Sequence, residues 1–438
     1  MNETNQKKMD AASRRGGSNA AFSWRRILAL GIATITLAVV IGFAAMLLSL
    51  FLDVVADSFM HFHESYKGAV PSGVNPTRRL ISVTIGGIIA AVVWYLIRRK
   101  APSIVSIKGA LDGKEMPFWK TILNVLTQIF YVGTGGSIGR ELAPRQLGVM
   151  LSQHYQAIVA KMPALKIAPD NQKLLLTAAA GAGFAGVYIA PITGMLFSVE
   201  LLLKKNSIKN IAVSMTMSTI AALMGSLAKG FSPYYLVLDT HFSLWLLLAA
   251  LIVGPIAGLF GAWAKQAFAW AQKKQATGKS LLLTMPLVGL ATGIIAYFLP
   301  EIMGNGRAVA QTAFLQHSNK LLLFFIILGL LKFAITFFTL YGGGTGGTLT
   351  PSIALGSVVG LVIAALLSGV MPGIEPWHFA LIGAVALLAA SQQAPLMAMF
   401  MVFEIAHLDS SALIILAATV ALSSATSKLY LTWRTDRV

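Results

Sequence analysis

The chain has 438 residues, of which 56% are hydrophobic and only 11% charged, against roughly 25% charged in an average soluble domain. Its 34 basic and 16 acidic residues leave a net charge of +18, but the apolar runs Ile27–Leu52, Ile81–Ile97, Leu244–Phe260 and Leu321–Phe338 exclude a soluble nucleic-acid-binding domain. The absence of cysteine excludes disulfides, thiolate metal sites and cysteine nucleophiles.

In chain order, residues 1–25 are polar and basic, with Lys7, Lys8, Arg14, Arg15 and Arg25, and read as a disordered cytoplasmic arm. A first membrane repeat is expected over 26–235, a second over 236–430, and a short cytoplasmic tail over 431–438. The first span, Ile27–Leu52, is followed by a polar connection over 53–77, where His61 and His63 read as solvated side chains rather than a metal site. The second span closes on Arg98, Arg99 and Lys100, so two crossings return the chain to the side of the arm. Lys428, Arg434 and Arg437 mark the other end, which places both termini in the cytoplasm. Between these limits, apolar stretches are broken by Gly and Pro around 133–148, 181–203, 342–356 and 388–407. Such breaks at membrane depth require burial in protein or a water-filled cavity, because the freed backbone groups need partners.

The broken stretches repeat. Ala190-Pro191 running on to Glu200 matches Ala394-Pro395 running on to Glu404 at a constant offset of 204, and Gly135-Gly136 matches Gly346-Gly347 at 211. Paired halves with Gly/Pro-interrupted segments at corresponding positions point to a transporter whose site lies between the halves. Close helix packing by small residues is the simpler alternative, but it explains neither the repeated Ala-Pro nor the repeated Glu.

Gly133-Thr134-Gly135-Gly136-Ser137-Ile138-Gly139-Arg140-Glu141 opens a helix, where free amides and the helix dipole favour an anion. Glu141 can fill such a site itself until protonation or a competing anion releases it; the alternative is a terminal carboxylate paired with Arg140 or Arg145. Tyr341-Gly342-Gly343-Gly344-Thr345-Gly346-Gly347-Thr348-Leu349-Thr350-Pro351 offers more free amides, with Pro351 suited to a first helical turn. No Gly-Lys-Ser/Thr follows, so a nucleotide loop is unsupported. Neutral amides hold an anion without trapping it. Glu200 and Glu404 are proton-path candidates as intramembrane carboxylates, or braces of helix ends.

Together these residues resemble the CLC family of chloride channels and chloride/proton exchangers, of the bacterial type without CBS domains, over about residues 30–430. The resemblance implies an all-α polytopic membrane protein, a CLC-like fold of two inverted-topology repeats with broken and re-entrant helices, assembled as a homodimer in the plasma membrane. It implies Glu141 as the gate, and Thr348, Leu349 and Tyr430 as anion-binding positions. Pro102 stands where the family has its anion-contacting serine, with Ser103 beside it; in some relatives that change accompanies nitrate preference.

Two further departures bear on mechanism. The family's Gly-Arg-Glu-Gly-Pro reads Gly139-Arg140-Glu141-Leu142-Ala143, with Pro144 one position late, and Leu201 stands where exchangers carry an internal proton glutamate. The expected activity is transport of chloride or another small anion, with no cofactor and no metal. The alternatives are proton-coupled antiport with altered selectivity for nitrate or fluoride, and a non-transporting membrane receptor or scaffold. No enzyme is expected, since neither His-Glu-x-x-His nor Gly-x-Ser-x-Gly occurs.

Overall fold

The computed structural model describes residues 3–65, 68–99, 104–318, 321–367 and 374–435, with side chains from Trp24 to Arg434. The arm expected over 1–25 and the tail expected over 431–438 therefore lie largely outside the described side chains. Pro102 and Ser103 lie outside the described residues altogether.

Sixteen α-helices are described, and eight helices are long and apolar enough to cross a membrane. The first eight are α1 (Glu3–Met60), α2 (Pro76–Arg99), α3 (Ile107–Leu111), α4 (Phe118–Gly133), α5 (Leu142–Val159), α6 (Pro169–Tyr188), α7 (Pro191–Leu196) and α8 (Ile208–Lys229). The wider π turn Phe197–Leu203 continues α7. The second eight are α9 (Leu246–Lys273), α10 (Leu281–Phe298), α11 (Arg307–Phe314), α12 (Leu322–Tyr341), α13 (Leu349–Leu367), α14 (Pro376–Gln392), α15 (Pro395–Ile405) and α16 (Ala412–Thr435).

Packing repeats in the same order. α8 lies on α1 and α6 as α16 lies on α9 and α14, and α5 packs on α6 as α13 packs on α14. Contacts of α2 with α10 and of α7 with α15 join the two sets. The innermost helices, α6 and α14, are buried over most of their length, as expected of helices that are apolar all round.

The repeated Ala-Pro has a repeated backbone. α6 closes on Ile189 at φ 55°, Ala190 is extended, and Pro191 starts α7. α14 closes on Gln393 at φ 56°, Ala394 is extended, and Pro395 starts α15. A proline cannot continue the preceding helix but suits the first turn of the next, so the chain turns within two residues and presents a fresh helix N-terminus inside the protein.

α1 runs on to Met60, so the polar connection is shorter than the expected 53–77. Asp53 lies within that helix and pairs with Lys229 of α8.

Candidate functional site

The two glycine-rich stretches come together. After α4, Gly135 turns the chain at φ 103°, and after α12, Gly343 does so at φ 101°. The Gly139 N–H donates to the Gly347 carbonyl at 2.9 Å and the Gly347 N–H donates back to Gly139 at 2.8 Å. This two-bond bridge fixes the starts of α5 and α13 against each other.

Further bonds brace the first loop. The Gly304 N–H donates to the Gly135 carbonyl at 2.9 Å, and Ser137 shares a hydroxyl contact of 3.2 Å with Thr336 of α12. One turn earlier on α12, buried Lys332 donates to the carbonyls of Ile302 and Gly304 at 2.8 and 2.7 Å.

Glu141 sits in this assembly with no exposed surface. Its Oε1 accepts from the Leu349 N–H at 2.6 Å, and its Oε2 accepts from the Thr350 hydroxyl at 3.2 Å. The carboxylate of the first half therefore occupies the N-terminus of α13 in the second, where a helix favours an anion. A Cβ on Gly139 or Gly347 would overlap the carboxylate oxygens, so both positions must be glycine while Glu141 is seated. Neither arginine takes the carboxylate: Arg145 Nε donates to the Glu141 main-chain carbonyl at 2.6 Å, and Arg140 turns to Glu64.

Two cavities flank the seat. One, of about 240 Å³, is lined by Glu64, Arg140, Tyr188, Lys229, Tyr234 and Arg307. The other, of about 420 Å³, is lined by Arg98, Ser106, Leu142, Gln146, Thr345 and Gly346 among others. The first lies beside the loop leading into α2 and the second at that helix's end, and 24 residues of helix span roughly 36 Å. Arg140 lines the first and Leu142 the second, so the buried Glu141 stands between them. A hydroxyl contact of 3.2 Å between Tyr188 and Thr350 connects the carboxylate with the first cavity.

In the first cavity Glu64 bridges Arg140 at 3.0 Å and Arg307 at 2.9 Å. Burial opposes ionisation of Glu64, but the two guanidiniums outweigh it and hold its carboxyl at about 2. Arg307 also donates to the carbonyls of Tyr234 and Ser65 and lies 4.2 Å from the Tyr234 ring centre.

Of the anion-binding positions expected, Leu349 meets Glu141 directly and Thr348 adjoins it. Tyr430 is not brought to this group. It lies within α16 beside Trp433, lines a cavity with Leu259, Phe260 and Trp263, and has Arg434 3.5 Å from its hydroxyl. Glu200 accepts from the amides of Leu396 and Met397 at 3.0 and 2.7 Å. Glu404 accepts from the amides of Ile192 and Thr193 at 2.8 and 2.7 Å and from the Thr193 hydroxyl at 2.6 Å. Leu201 packs against the apolar core.

Sequence reasoning missed Glu64, Arg307 and Gln146 as site residues, and read Arg98 only as a marker of sidedness. Lys332 carried a usable signal, as a lone cation inside the apolar run Leu321–Phe338. Glu64 carried none, because its meaning lies in contacts with residues distant in the chain.

The sequence model of the family described as voltage gated chloride channel matches residues 86–428. A protein of Ralstonia nicotianae described as a putative chloride channel protein ClcB-like is 27% identical, over 74% of this chain and 77% of its own. The H(+)/Cl(-) exchange transporter ClcA of Vibrio campbellii is 27% identical, over 75% of this chain and 72% of its own. The crystal structure of a slow cyanobacterial Cl-/H+ antiporter superposes with a TM-score of 0.75 at 21% identity, over 91% of this chain and 95% of its own.

Proposed function

The chain belongs to the voltage gated chloride channel family, and we propose that it conducts chloride or a similar small anion through a path gated by Glu141. The observation that carries this reading is the Glu141 carboxylate on the Leu349 amide, a fixed anion held between two cavities at opposite ends of α2. When the carboxylate is protonated or displaced, its place on the α13 terminus passes to a mobile anion. The backbone amides then replace the water the anion has shed, and being neutral they release it readily.

Charge distribution supports the orientation. The basic ends of α2 (Arg98, Arg99), α9 (Lys273) and α16 (Arg434) gather on the side of the larger cavity, where Arg434 hydrogen-bonds Gln266. Glu64 lies at the other cavity, and Tyr234 beside it takes the carbonyl of Ile405 at the end of α15. The positive-inside rule makes the Arg98 side cytoplasmic and puts both termini there. Within this reading the chain divides near residue 236 into two repeats of opposite orientation, and two copies form the homodimer.

Proton-coupled antiport is the second reading, favoured by the Tyr188–Thr350–Glu141 chain of hydroxyls that leads a proton in from the outer cavity. Leu201 offers no titratable group on the inner side. Anion efflux from proteoliposomes tests the main reading: absence of flux from folded protein overturns it. A pH gradient imposed without an anion gradient drives net anion movement only if the protein is an antiporter.

A further inference from the structure

The outer face of α9 carries two apolar grooves that the anion path does not use. One, of about 440 Å³, lies between α9, α12 and α13, and its walls include Ile256, Phe260, Trp263, Leu330, Val362 and Leu366. The other, of about 340 Å³, lies between α9 and α16 and is lined by Leu259, Phe260, Trp263 and Tyr430. Phe260 and Trp263 line both, so the grooves run side by side with these two rings as the ridge between them. Trp263 is fixed from one flank by stacking on Phe333 of α12, 4.8 Å between ring centres. Phe260, Trp263, Leu330 and Leu366 are exposed on helices long and apolar enough to cross a membrane, so both grooves open towards the bilayer.

The second groove ends in charge. Tyr430, in its wall, has Arg434 Nη1 3.5 Å from its hydroxyl, and the same nitrogen bonds Gln266 of α9. A guanidinium has five donors, so Nε and Nη2 of the exposed Arg434 are left without an acceptor among the described residues. No carboxylate lines either groove. Gln266 stands six residues beyond Phe260 on α9, roughly 9 Å along the helix, which puts the guanidinium just below the point where the ridge begins. Tryptophan and tyrosine next to a basic side chain are the groups that settle at the lipid headgroup level.

We infer that the Phe260–Trp263 ridge is the binding site of one anionic phospholipid from the leaflet on the Arg434 side. Its phosphate takes Arg434 and the Tyr430 hydroxyl, and its two acyl chains lie in the two grooves. Charge and shape select this occupant: a cation without an acidic partner at the headgroup level calls for an anion, and paired apolar troughs astride a ridge call for two flexible hydrocarbon chains. The site stands apart from the Glu141 seat and does not rest on the gating reading.

The test is native mass spectrometry of the purified protein in detergent, equilibrated with equal amounts of phosphatidylglycerol and phosphatidylcholine. Wild-type protein should retain one phosphatidylglycerol per chain in preference to phosphatidylcholine. Arg434→Gln should lower that preference about fivefold, the effect of one basic residue at an anionic surface, and Val362→Trp, which fills the larger groove, should lower retention of both lipids. Lys205→Gln is the control and should keep the wild-type preference: Lys205 is exposed just ahead of α8, at the end opposite Lys229 and the cavity that Lys229 lines, and so on the Arg434 side. Equal retention of the two lipids by wild type, an undiminished preference in Arg434→Gln, or an equal loss in Lys205→Gln overturns the site. A Val362→Trp protein that changes its oligomeric state while retaining lipid as wild type does also overturns it, since the groove then belongs to a second copy. Should Val362→Trp fail to fold, fluorescence decides: the emission that Trp263→Phe removes should be quenched by phosphatidylglycerol brominated in its acyl chains, and emission that stays unquenched overturns the site.

Discussion

Glu200 and Glu404 exchange places between the halves of the chain. Each extends from its own Ala-Pro helix to cap the N-terminus of the other: Glu200 takes the amides at the start of α15, and Glu404 those at the start of α7. Proline at the first turn leaves the next amides unpaired inside the protein, and a carboxylate is the strongest acceptor available to them. The pair thus latches α7 to α15.

This latch predicts a stability effect separate from transport. Replacing either glutamate by alanine should cost about 1–2 kcal/mol of unfolding free energy, as lost N-caps do. E404A should cost more, because Glu404 also accepts from the Thr193 hydroxyl. Thermal unfolding in detergent measures the loss, and the chloride-to-nitrate flux ratio of the surviving protein should not change. A changed ratio at wild-type stability would place these residues on the pathway instead.

The Glu64 bridge makes a prediction about pH. A carboxyl held at about 2 by Arg140 and Arg307, below its unfolded value near 4.5, contributes stability that is complete above the unfolded value and lost as pH falls through the folded one. The bridge is therefore intact across the physiological range, and it does not account for any pH dependence of flux there. E64Q should destabilise by about 3 kcal/mol, because it leaves two buried guanidiniums without their shared partner. That deficit should be the same at neutral pH and about one to two units below it. Melting curves of E64Q and wild type across that range check it, and a deficit confined to neutral pH contradicts it.

G347A addresses the seat itself. The added methyl would overlap Glu141 Oε1, so the carboxylate should lose its bond to Leu349 and leave the α13 terminus. Because the methyl also fills the place a mobile anion would take on the α13 terminus, anion flux at neutral pH should fall several-fold below wild type in proteoliposomes. Unchanged flux with an unchanged response to pH would show that Glu141 does not block the path from this position.

Much of the fold was legible because membrane insertion leaves a strong imprint on composition. Spans such as Ile81–Ile97 and the paired Ala-Pro breaks follow from the cost of bare backbone in lipid, and Glu141 was legible because a carboxylate after a glycine run has few other uses at membrane depth. What stayed hidden depends on contacts between distant segments. Nothing local shows that Glu64 meets Arg307, or that Trp94 bonds Asn124, which in turn bonds Gln146. Tyr430 shows the converse: Ser427-Lys428-Leu429-Tyr430 resembles the segment that carries the family's pore tyrosine, but α16 continues through that position and carries the ring to Trp263 and Trp433.

The most direct measurement is chloride efflux from proteoliposomes containing wild-type protein or E141Q, compared between neutral and acidic medium. Wild-type flux should rise as the medium is acidified and Glu141 vacates the Leu349 amide, whereas E141Q, with no charge to hold it there, should conduct at a high rate that does not vary with pH. An E141Q protein that folds, conducts at the wild-type rate and keeps the wild-type pH profile would contradict the assignment of Glu141 as the gate.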